Sequence, residues 1–446
     1  MMNRIKGALG SFGMLGALLL LCVYFSWATY HLEVPGGKEG AANLAAELTA
    51  QAGPGDRFIV VVGSQGHDSE FSETMVQELK GRGRNVVAVI QGDPPAVREA
   101  LEANVGTASS GGKLIVATTQ ACAQWELWRV LRERSPQLYS GLTVAAPRAR
   151  YRSTFLSANN LRNVADQIAV IAIIAVGMTL VIISSGIDLS VGSLVALSAV
   201  VTAWLIRYWG GAGASTGSLL LAGLVAILLC GAVGCFSGVM ITGFRIPPFI
   251  ATLAMMQVTS GLAFIIARGQ SIYDIPLRFT ALGRGAALLT LPNAVVVMAL
   301  IYIGAHIFMV RSTLGRRIYA VGGNAEASRL SGVSTKKTLI FVYIASGLMA
   351  GIGGVITASQ LQAGAPTYGA MYELYVIAAV VVGGTSLTGG EGRIFGTLVG
   401  AFIIAVIRNG MNLVGVESYT QKVVLGVVIL LAVMLDMVKR RVKRAA

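Results

Sequence analysis

Long apolar runs separated by short polar stretches make up most of the chain outside residues 31–150. A helix that crosses a bilayer needs about 20 mainly apolar residues, and the run lengths indicate ten helices. We therefore predict a polytopic α-helical membrane protein, with a first membrane helix within residues 1–30. The helices are expected at roughly 11–30, 166–184, 189–207, 217–242, 248–268, 293–311, 338–358, 371–387, 394–410 and 420–438.

Residues 31–150 have a different pattern and predict a separate α/β domain inserted after the first helix. Short β-branched runs at 57–63, 85–92, 113–119 and 142–147 alternate with helix-like stretches. Such alternation is typical of βαβ units around a parallel sheet. The turn "GSQG" after the first run lacks the GxGxxG pattern, so a structural turn is favoured over a nucleotide site. Residues 151–446 then form the helical bundle.

The formal net charge of +14 belongs to the membrane part of the chain. Residues 31–150 carry 12 Lys/Arg and 13 Asp/Glu, whereas the remainder carries 23 and 8. Basic residues cluster near both termini and in the loop 312–337, as the positive-inside rule expects of cytoplasmic segments. The charge therefore predicts a membrane orientation, with 31–150 on the extracytoplasmic side, and does not favour nucleic-acid binding.

The four cysteines and three histidines are scattered along the chain and give no metal-binding or disulfide pattern. We expect no metal site.

The stretch "SSGIDLSVGS" at 184–193 interrupts two apolar runs and contains Gly186, Asp188, Ser190 and Gly192. On the predicted topology it lies near a cytoplasmic turn. Asp188 or Ser190 is expected to cap the next helix by accepting backbone N–H bonds, while direct substrate binding by Asp188 is the alternative. A charged residue in a membrane segment usually faces a cavity or a partner.

A second Gly-rich break, "VVGGTSLTGGEGRIFGTLVG" at 381–400, contains three further candidate hinge residues: Gly384, Gly389 and Gly390. "GIDLSVG" and "GTSLTGG" share the same spacing of glycine, leucine and a hydroxyl residue, which suggests an internal duplication without establishing one. Glycine breaks allow close helix crossings and repositioning, which transporters use.

Four stretches in order between about 151 and 440 resemble the ribose/xylose/galactose-type permease subunits of bacterial ABC importers. These stretches are "VGMTLVIISSGIDLSVGSLVALSA", "PPFIATLAMMQVTSGLAF", "LGRRIYAVGGNAEASRLSGV" and "AAVVVGGTSLTGGEGRIFGTLVGAFIIAVIRNGMNLVGV". The resemblance implies a multi-pass protein of the bacterial inner membrane that translocates a monosaccharide or similar solute. It implies cytoplasmic ATP-binding subunits, a periplasmic substrate-binding protein, and a homodimer or a pair of related permeases.

No GxxxxGK[ST] sequence is present, so ATP and Mg are expected on the partner ATPase and no cofactor on this chain. The resemblance also implies that a cytoplasmic helix transmits ATPase closure. The candidate coupling residues are Gly315, Gly323, Asn324, Glu326, Ala327, Arg329 and Leu330.

The insert 31–150 departs from the family pattern, in which a short connection follows the first helix. Its alternation of strands and helices resembles one lobe of the family's sugar-binding proteins. A single lobe lacks the opposing face that closes on a sugar. A docking or regulatory module is therefore favoured over a complete receptor.

Two other functional classes remain open. An ion-gradient-driven transporter would carry ionisable groups within the bundle, and a membrane-anchored sensor or enzyme would use the α/β domain, which offers no evident catalytic pair. Three polar residues on apolar helices are weak candidates for a translocation path: Thr252, Gln257 and Asn412.

Overall fold

The computed structural model of the protein describes the backbone of residues 2–53, 55–64, 66–105, 113–139, 141–286 and 291–445. It also describes their side chains, apart from those of 2–12, 66–67, 104–105, 137–138, 435–436 and 439–445. The basic clusters at the two termini, which contributed to the predicted orientation, thus lie outside the described side chains. The chain forms two compact units, one from Tyr30 to Ser153 and the other from the segments on either side of it.

The helix α1 (Met2–Ala28) precedes the smaller unit, which is built on parallel strands. Its helices and strands are β1 (Tyr30–Glu33), α2 (Gly37–Gln51), β2 (Arg57–Val62), α3 (Gly66–Gly81), β3 (Asn85–Gln91), α4 (Pro94–Val105), β4 (Leu114–Thr118), α5 (Gln120–Ala123), α6 (Leu127–Arg134), α7 (Pro136–Tyr139), β5 (Leu142–Ala145) and β6 (Arg150–Ser153). Strands β2 to β5 form a parallel sheet in the order β3-β2-β4-β5, while β1 and β6 form an antiparallel ribbon.

Both faces of this sheet are covered, which explains why its central strands are continuous apolar runs. Phe58, Val60 and Val62 pack with α2 and α3 on one face. Ile59 and Val61 pack with α4 and α6 on the other. Each of the four strands lies within one of the β-branched runs of the sequence.

The larger unit consists of helices. After α1 they are α8 (Ala158–Ile183), α9 (Val191–Tyr208), α10 (Thr216–Gly243), α11 (Pro248–Ala267), α12 (Asn293–Arg311), α13 (Thr313–Gly323), α14 (Ala325–Leu330), α15 (Thr335–Leu361), α16 (Tyr372–Val382), α17 (Ile394–Leu413) and α18 (Ser418–Ala445). Within the described residues, seven of these are long and apolar enough to cross a membrane: α8, α9, α10, α11, α12, α15 and α17. Shorter apolar stretches occur in α1, α16 and α18. The prediction of a polytopic helical membrane protein is confirmed.

Four predicted helix boundaries differ from the structure by five residues or more, and two of them are the start of α1 at Met2 and the end of α18 at Ala445. The other two have a local cause. Helix α8 begins at Ala158, not near 166, because Ser157 caps it with a side chain that accepts a hydrogen bond from the Asn160 amide. Helix α16 ends at Val382, not near 387, where two glycines follow and Gly384 adopts a φ of 83°. At both boundaries a local feature, a serine cap or a pair of glycines, determines where the helix begins or ends, and the apolar pattern does not.

Helix α8 is the centre of the bundle, since 89% of its apolar stretch is buried, against 22% in α11 and in α12. Helices α10 and α15 cross closely in antiparallel fashion along a seam of small residues. Glycines 223, 231, 234 and 238 of α10 lie against residues 355, 348, 343 and 340 of α15, in that order. Helix α15 also contacts the turn between α8 and α9, where the Tyr343 hydroxyl lies against Gly186.

Candidate functional site

The first helix break is the turn between α8 and α9, residues 184–190. Helix α8 closes with the Gly186 amide donating to the Val181 carbonyl at 2.9 Å, after Ser185 adopts a φ of 65°. The chain then runs back into the bundle before α9 begins at Val191. The buried hydroxyl of Tyr343, on α15, lies against Gly186, where a β carbon would be 2.5 Å from it.

Asp188 lies in this turn and is 2% exposed. Its Oδ1 accepts hydrogen bonds from the Ser190 amide at 3.0 Å and from the Ser190 hydroxyl at 2.6 Å. Its Oδ2 accepts a hydrogen bond from the Ser346 hydroxyl on α15 at 2.7 Å. Asp188 therefore connects the turn to a second helix.

These bonds correct the predicted cap. Ser190 occupies the N-cap position of α9 but its side chain makes no capping bond, and Asp188 bonds the amide of Ser190 itself. Ser346 is eleven residues beyond the first residue of α15, which corresponds to about 16 Å of helix. Asp188 therefore lies well inside the bundle and not at a surface turn, because the chain folds back after α8 and its carboxylate bonds α15.

The second helix break, residues 383–393 between α16 and α17, touches the first. The Gly390 amide donates to the Ile183 carbonyl at 2.8 Å. The Ser185 hydroxyl lies 3.0 Å from the Thr388 carbonyl, which accepts its hydrogen bond. The two Gly-rich stretches singled out in the sequence thus meet, and their glycines at 384, 389 and 390 all have positive φ.

Helix α13 packs on both breaks. Its residue Gly322 is so close to Ile183 that a β carbon would lie 1.7 Å from the Ile183 carbonyl oxygen, which only glycine permits. The Ser185 hydroxyl also lies 2.9 Å from the Gly322 carbonyl, so its single proton is shared between the carbonyls of Gly322 and Thr388. The Tyr319 hydroxyl donates to the Gly392 carbonyl at 2.8 Å. Any displacement of α13 therefore acts directly on both turns.

The predicted coupling residues lie mostly on the exposed α14 side of this segment. The Asn324 Oδ1 caps α14 by accepting from the Ala327 amide at 2.9 Å. Glu326 and Arg329 form an ion pair at 2.5 Å, with 68% and 62% of their side chains exposed. This pair holds the pKa of the Glu326 carboxyl below its usual value. Leu330 is 75% exposed.

Two details of that prediction change. Arg329 already has a carboxylate partner within the chain, so a partner protein would meet a pre-formed ion pair. Gly315 is buried where α13 starts, and a β carbon there would lie 2.5 Å from the Met309 carbonyl oxygen of α12. Gly315 therefore sets the angle between α12 and α13, whereas Gly323, with nothing within 4 Å of its β position, faces open space.

The three weak path candidates are not brought together. Thr252 is buried and supports the first break, since its hydroxyl lies 3.2 Å from both the Leu189 amide and the Ile187 carbonyl. Gln257 is exposed on α11. The Asn412 Oδ1 accepts a hydrogen bond from Gln421 on α18 at 2.6 Å.

Other polar groups in the bundle were missed at the sequence level. Glu373, in the first turn of α16, lies beside Gly192, where a β carbon would be 2.3 Å from its Oε2. Arg408 of α17 stacks on Tyr375, 4.6 Å from the ring centroid. Both are charged residues within apolar runs, and that signal could have identified them. Ser346 gave no comparable signal, because serine is common in such helices.

No group of three or more His, Cys, Asp or Glu that could hold a metal ion occurs among the described residues. The arrangement consists instead of two helix breaks, a buried carboxylate that joins elements, and an exposed segment packed on both breaks. This arrangement can transmit movement from the exposed segment to the two helix breaks, and the described residues include no nucleophile paired with a base.

Comparisons with known proteins identify the family. Residues 160–433 match the family described as "Branched-chain amino acid transport system / permease component". The chain is 44% identical over 286 residues to the ribose import permease protein RbsC of Escherichia coli K12, covering 63% of this chain and 87% of that protein. It is 41% identical over 285 residues to RbsC of Bacillus subtilis, covering 64% and 86%.

The L-arabinose ABC transporter permease protein AraH of Azospirillum brasilense is 36% identical over 331 residues, covering 74% of this chain and 94% of the relative. No solved structure matches the chain. The relatives are named as permeases and not as enzymes, and they bear out the resemblance noted in the sequence. The chain therefore belongs to this family of transport permease components and is a multi-pass inner-membrane permease subunit of an ABC importer.

Proposed function

We propose that the protein imports a monosaccharide delivered by a periplasmic substrate-binding protein. The observation that carries this proposal is that its relatives are named for ribose, D-allose and L-arabinose transport. ATP and Mg bind the partner ATPase, whose closure reaches the bundle through α13 and α14.

Reconstitution into liposomes with the ATPase and the binding protein tests the substrate class. Labelled ribose, allose and arabinose are offered with and without ATP, and with an ionophore that collapses ion gradients. ATP-dependent uptake that survives the ionophore supports the proposal. Uptake that needs an ion gradient and no ATPase would instead support the secondary-transporter alternative.

Residues 323–330, which are exposed except for the buried Ser328, form the ATPase contact in this proposal, and the open space at Gly323 permits a direct test. Gly323→Leu and Ala327→Trp add bulk outward without disturbing this chain. We expect normal membrane insertion, weakened co-purification with the ATPase and loss of ATP-driven uptake. Gly243→Leu is the matched control, since Gly243 is also exposed at a helix end with nothing within 4 Å. Normal transport by Gly323→Leu and Ala327→Trp would count against the contact.

Ten membrane spans are part of the proposal, the three shorter apolar helices adding to the seven long ones. Helix α16 has 11 residues, or about 16 Å of helix, roughly half of the ~30 Å hydrocarbon thickness. Residues 362–371 would complete that crossing from the extracytoplasmic side. Ten crossings put both termini and 312–337 in the cytoplasm and Tyr30–Ser153 outside.

Thiol labelling tests this orientation, but Cys122 is 2% exposed and reacts poorly as a probe. In a cysteine-free background, Arg129→Cys on α6 provides an exposed probe in the α/β unit. Leu330→Cys provides one on α14. We expect a membrane-impermeant reagent to label whole cells at position 129 only. Labelling at 330 without labelling at 129 would reverse the topology.

We further propose that the α/β unit Tyr30–Ser153 helps the permease meet its binding protein. The chain leaves and re-enters the helical unit at adjacent points, since the Thr154 amide donates to the Thr29 carbonyl at 3.3 Å. A two-glycine link can therefore replace residues 30–153 without straining the bundle. The deletion variant should bind ATPase normally but show weaker stimulation of ATP hydrolysis by the binding protein. Unchanged stimulation would eliminate the docking role.

A homodimer, or a pair with a related permease, completes the proposed transporter. Light scattering of the purified complex in a defined detergent distinguishes one, two or mixed permease copies.

A further inference from the structure

The Asp188 carboxyl group is buried among hydrogen-bond donors from two elements. Among the residues described by the structure, no Lys, Arg or His side chain lies within ion-pair distance of it. Its stabilisation comes from three hydrogen bonds, two from Ser190 and one from Ser346. A buried carboxyl group whose hydrogen bonds come from two different elements connects those elements.

These bonds form the inner end of a continuous connection. At its outer end, the Ser185 hydroxyl is within hydrogen-bonding distance of the Gly322 and Thr388 carbonyls. Ser190 follows Ser185 by five positions. Because Ser185 contacts α13 and Ser190 precedes α9, this short segment allows α13 and the first turn of α9 little independent movement. Thr252 bonds the middle of this stretch from α11.

Beyond Asp188, α9 makes one contact with α16 and a further contact with α15. Glu373 of α16 lies beside Gly192, and the Ser198 hydroxyl donates to the Gly351 carbonyl of α15 at 2.7 Å. Movement of the first turn of α9 is therefore shared with α15 and α16.

We propose that Asp188 is a positioning residue for transport, which holds the 184–190 turn on α15 so that displacement of α13 moves α9 and α15 together. The inference rests on the proposed function only where uptake is measured. Its basis is geometric: a side chain that can hydrogen-bond both Ser190 and Ser346 can replace the aspartate, and one that cannot will break the connection.

The experiment compares Asp188→Asn, Asp188→Ala and Ser346→Ala in the full transporter with ATPase and binding protein. The readout is sugar molecules transported per ATP hydrolysed, a ratio that ordinary loss of folded protein leaves unchanged. We expect at least a tenfold fall in this ratio for Asp188→Ala and for Ser346→Ala. Asp188→Asn should stay within about threefold of the parent, because its amide can accept from Ser190 and donate to Ser346.

The double variant Asp188→Ala/Ser346→Ala completes a thermodynamic cycle. If the pair acts as one connection, the double variant falls no further than either single variant. Additive losses, an unchanged ratio in Asp188→Ala, or an Asp188→Asn variant as defective as alanine would overturn the proposal, the last by showing that charge and not geometry matters.

Hydrogen exchange of the permease alone separates this inference from the proposed function. Residues 186–194 should exchange faster in Ser346→Ala than in the parent, whatever solute is carried. Unchanged exchange there would overturn the positioning role, whereas absence of uptake of every tested sugar by the parent would overturn only the substrate class.

Discussion

Placing alanine at Gly234 should destabilise the crossing of α10 and α15, although alanine is the better helix former. A β carbon there would lie 2.2 Å from the Tyr343 carbonyl oxygen, and ordinary contact begins near 3.4 Å. The two helices must therefore separate by about 1.2 Å at this point or distort. Overpacking of this kind costs roughly 1–3 kcal/mol even after relaxation.

The opposing term is helix propensity, since replacing glycine by alanine within a helix gains about 1 kcal/mol. Gly304→Ala on α12 isolates that gain, because Gly304 is exposed and has nothing within 4 Å of its β position. We therefore expect Gly234→Ala to unfold at a lower temperature than the parent, and Gly304→Ala at the same or a higher one. Tyr343 also lies against Gly186, so Gly234→Ala should reduce ATP-driven uptake as well.

Fluorescence-detected size-exclusion chromatography of heated, detergent-solubilised samples measures both melting temperatures under matched conditions. A Gly234→Ala variant as stable as Gly304→Ala would refute the reasoning, since it would show that α10 and α15 can separate at no cost.

Two further predictions concern the connecting segment and the α/β unit. Ser312→Ala removes the side-chain cap of α13, which should cost about 0.5–2 kcal/mol; hydrogen exchange should rise in the first turn of α13 and remain unchanged in α14. In the α/β unit, hydrogen bonds from the Lys113 and Gly53 amides lower the pKa of Asp56 below the ordinary value of an aspartate. Because the folded pKa is depressed, this stabilisation is present above the pKa of Asp56 in the unfolded chain and is lost as pH falls through the folded pKa. Asp56→Asn should thus flatten the acid end of the unit's stability curve, measured by urea titration between pH 5 and 3, and an unchanged slope would contradict the assignment.

The sequence was most informative where one physical term dominates. Burial in lipid selects long apolar runs, so each of the predicted apolar segments overlaps a helix of the structure. The β-branched runs of 57–147 coincide with strands because a parallel sheet covered on both faces requires apolar side chains throughout. The family resemblance was also correct, because it rested on several long motifs that occur in order along the chain and not on a single short pattern.

Tertiary structure alone decided how these segments meet. The glycine stretches near 186 and 389 lie about 200 positions apart, and only the folded chain brings the Gly390 amide to the Ile183 carbonyl. The capping prediction for Asp188 was incomplete because it considered only local partners: Oδ1 accepts a hydrogen bond from the Ser190 amide, but Oδ2 is bonded by Ser346 from 158 positions away. A sequence pattern indicates whether a residue needs hydrophobic or polar surroundings. The pattern does not indicate which distant residue forms those surroundings, because the packing of α15 against α8, α9 and α10 determines which residues meet.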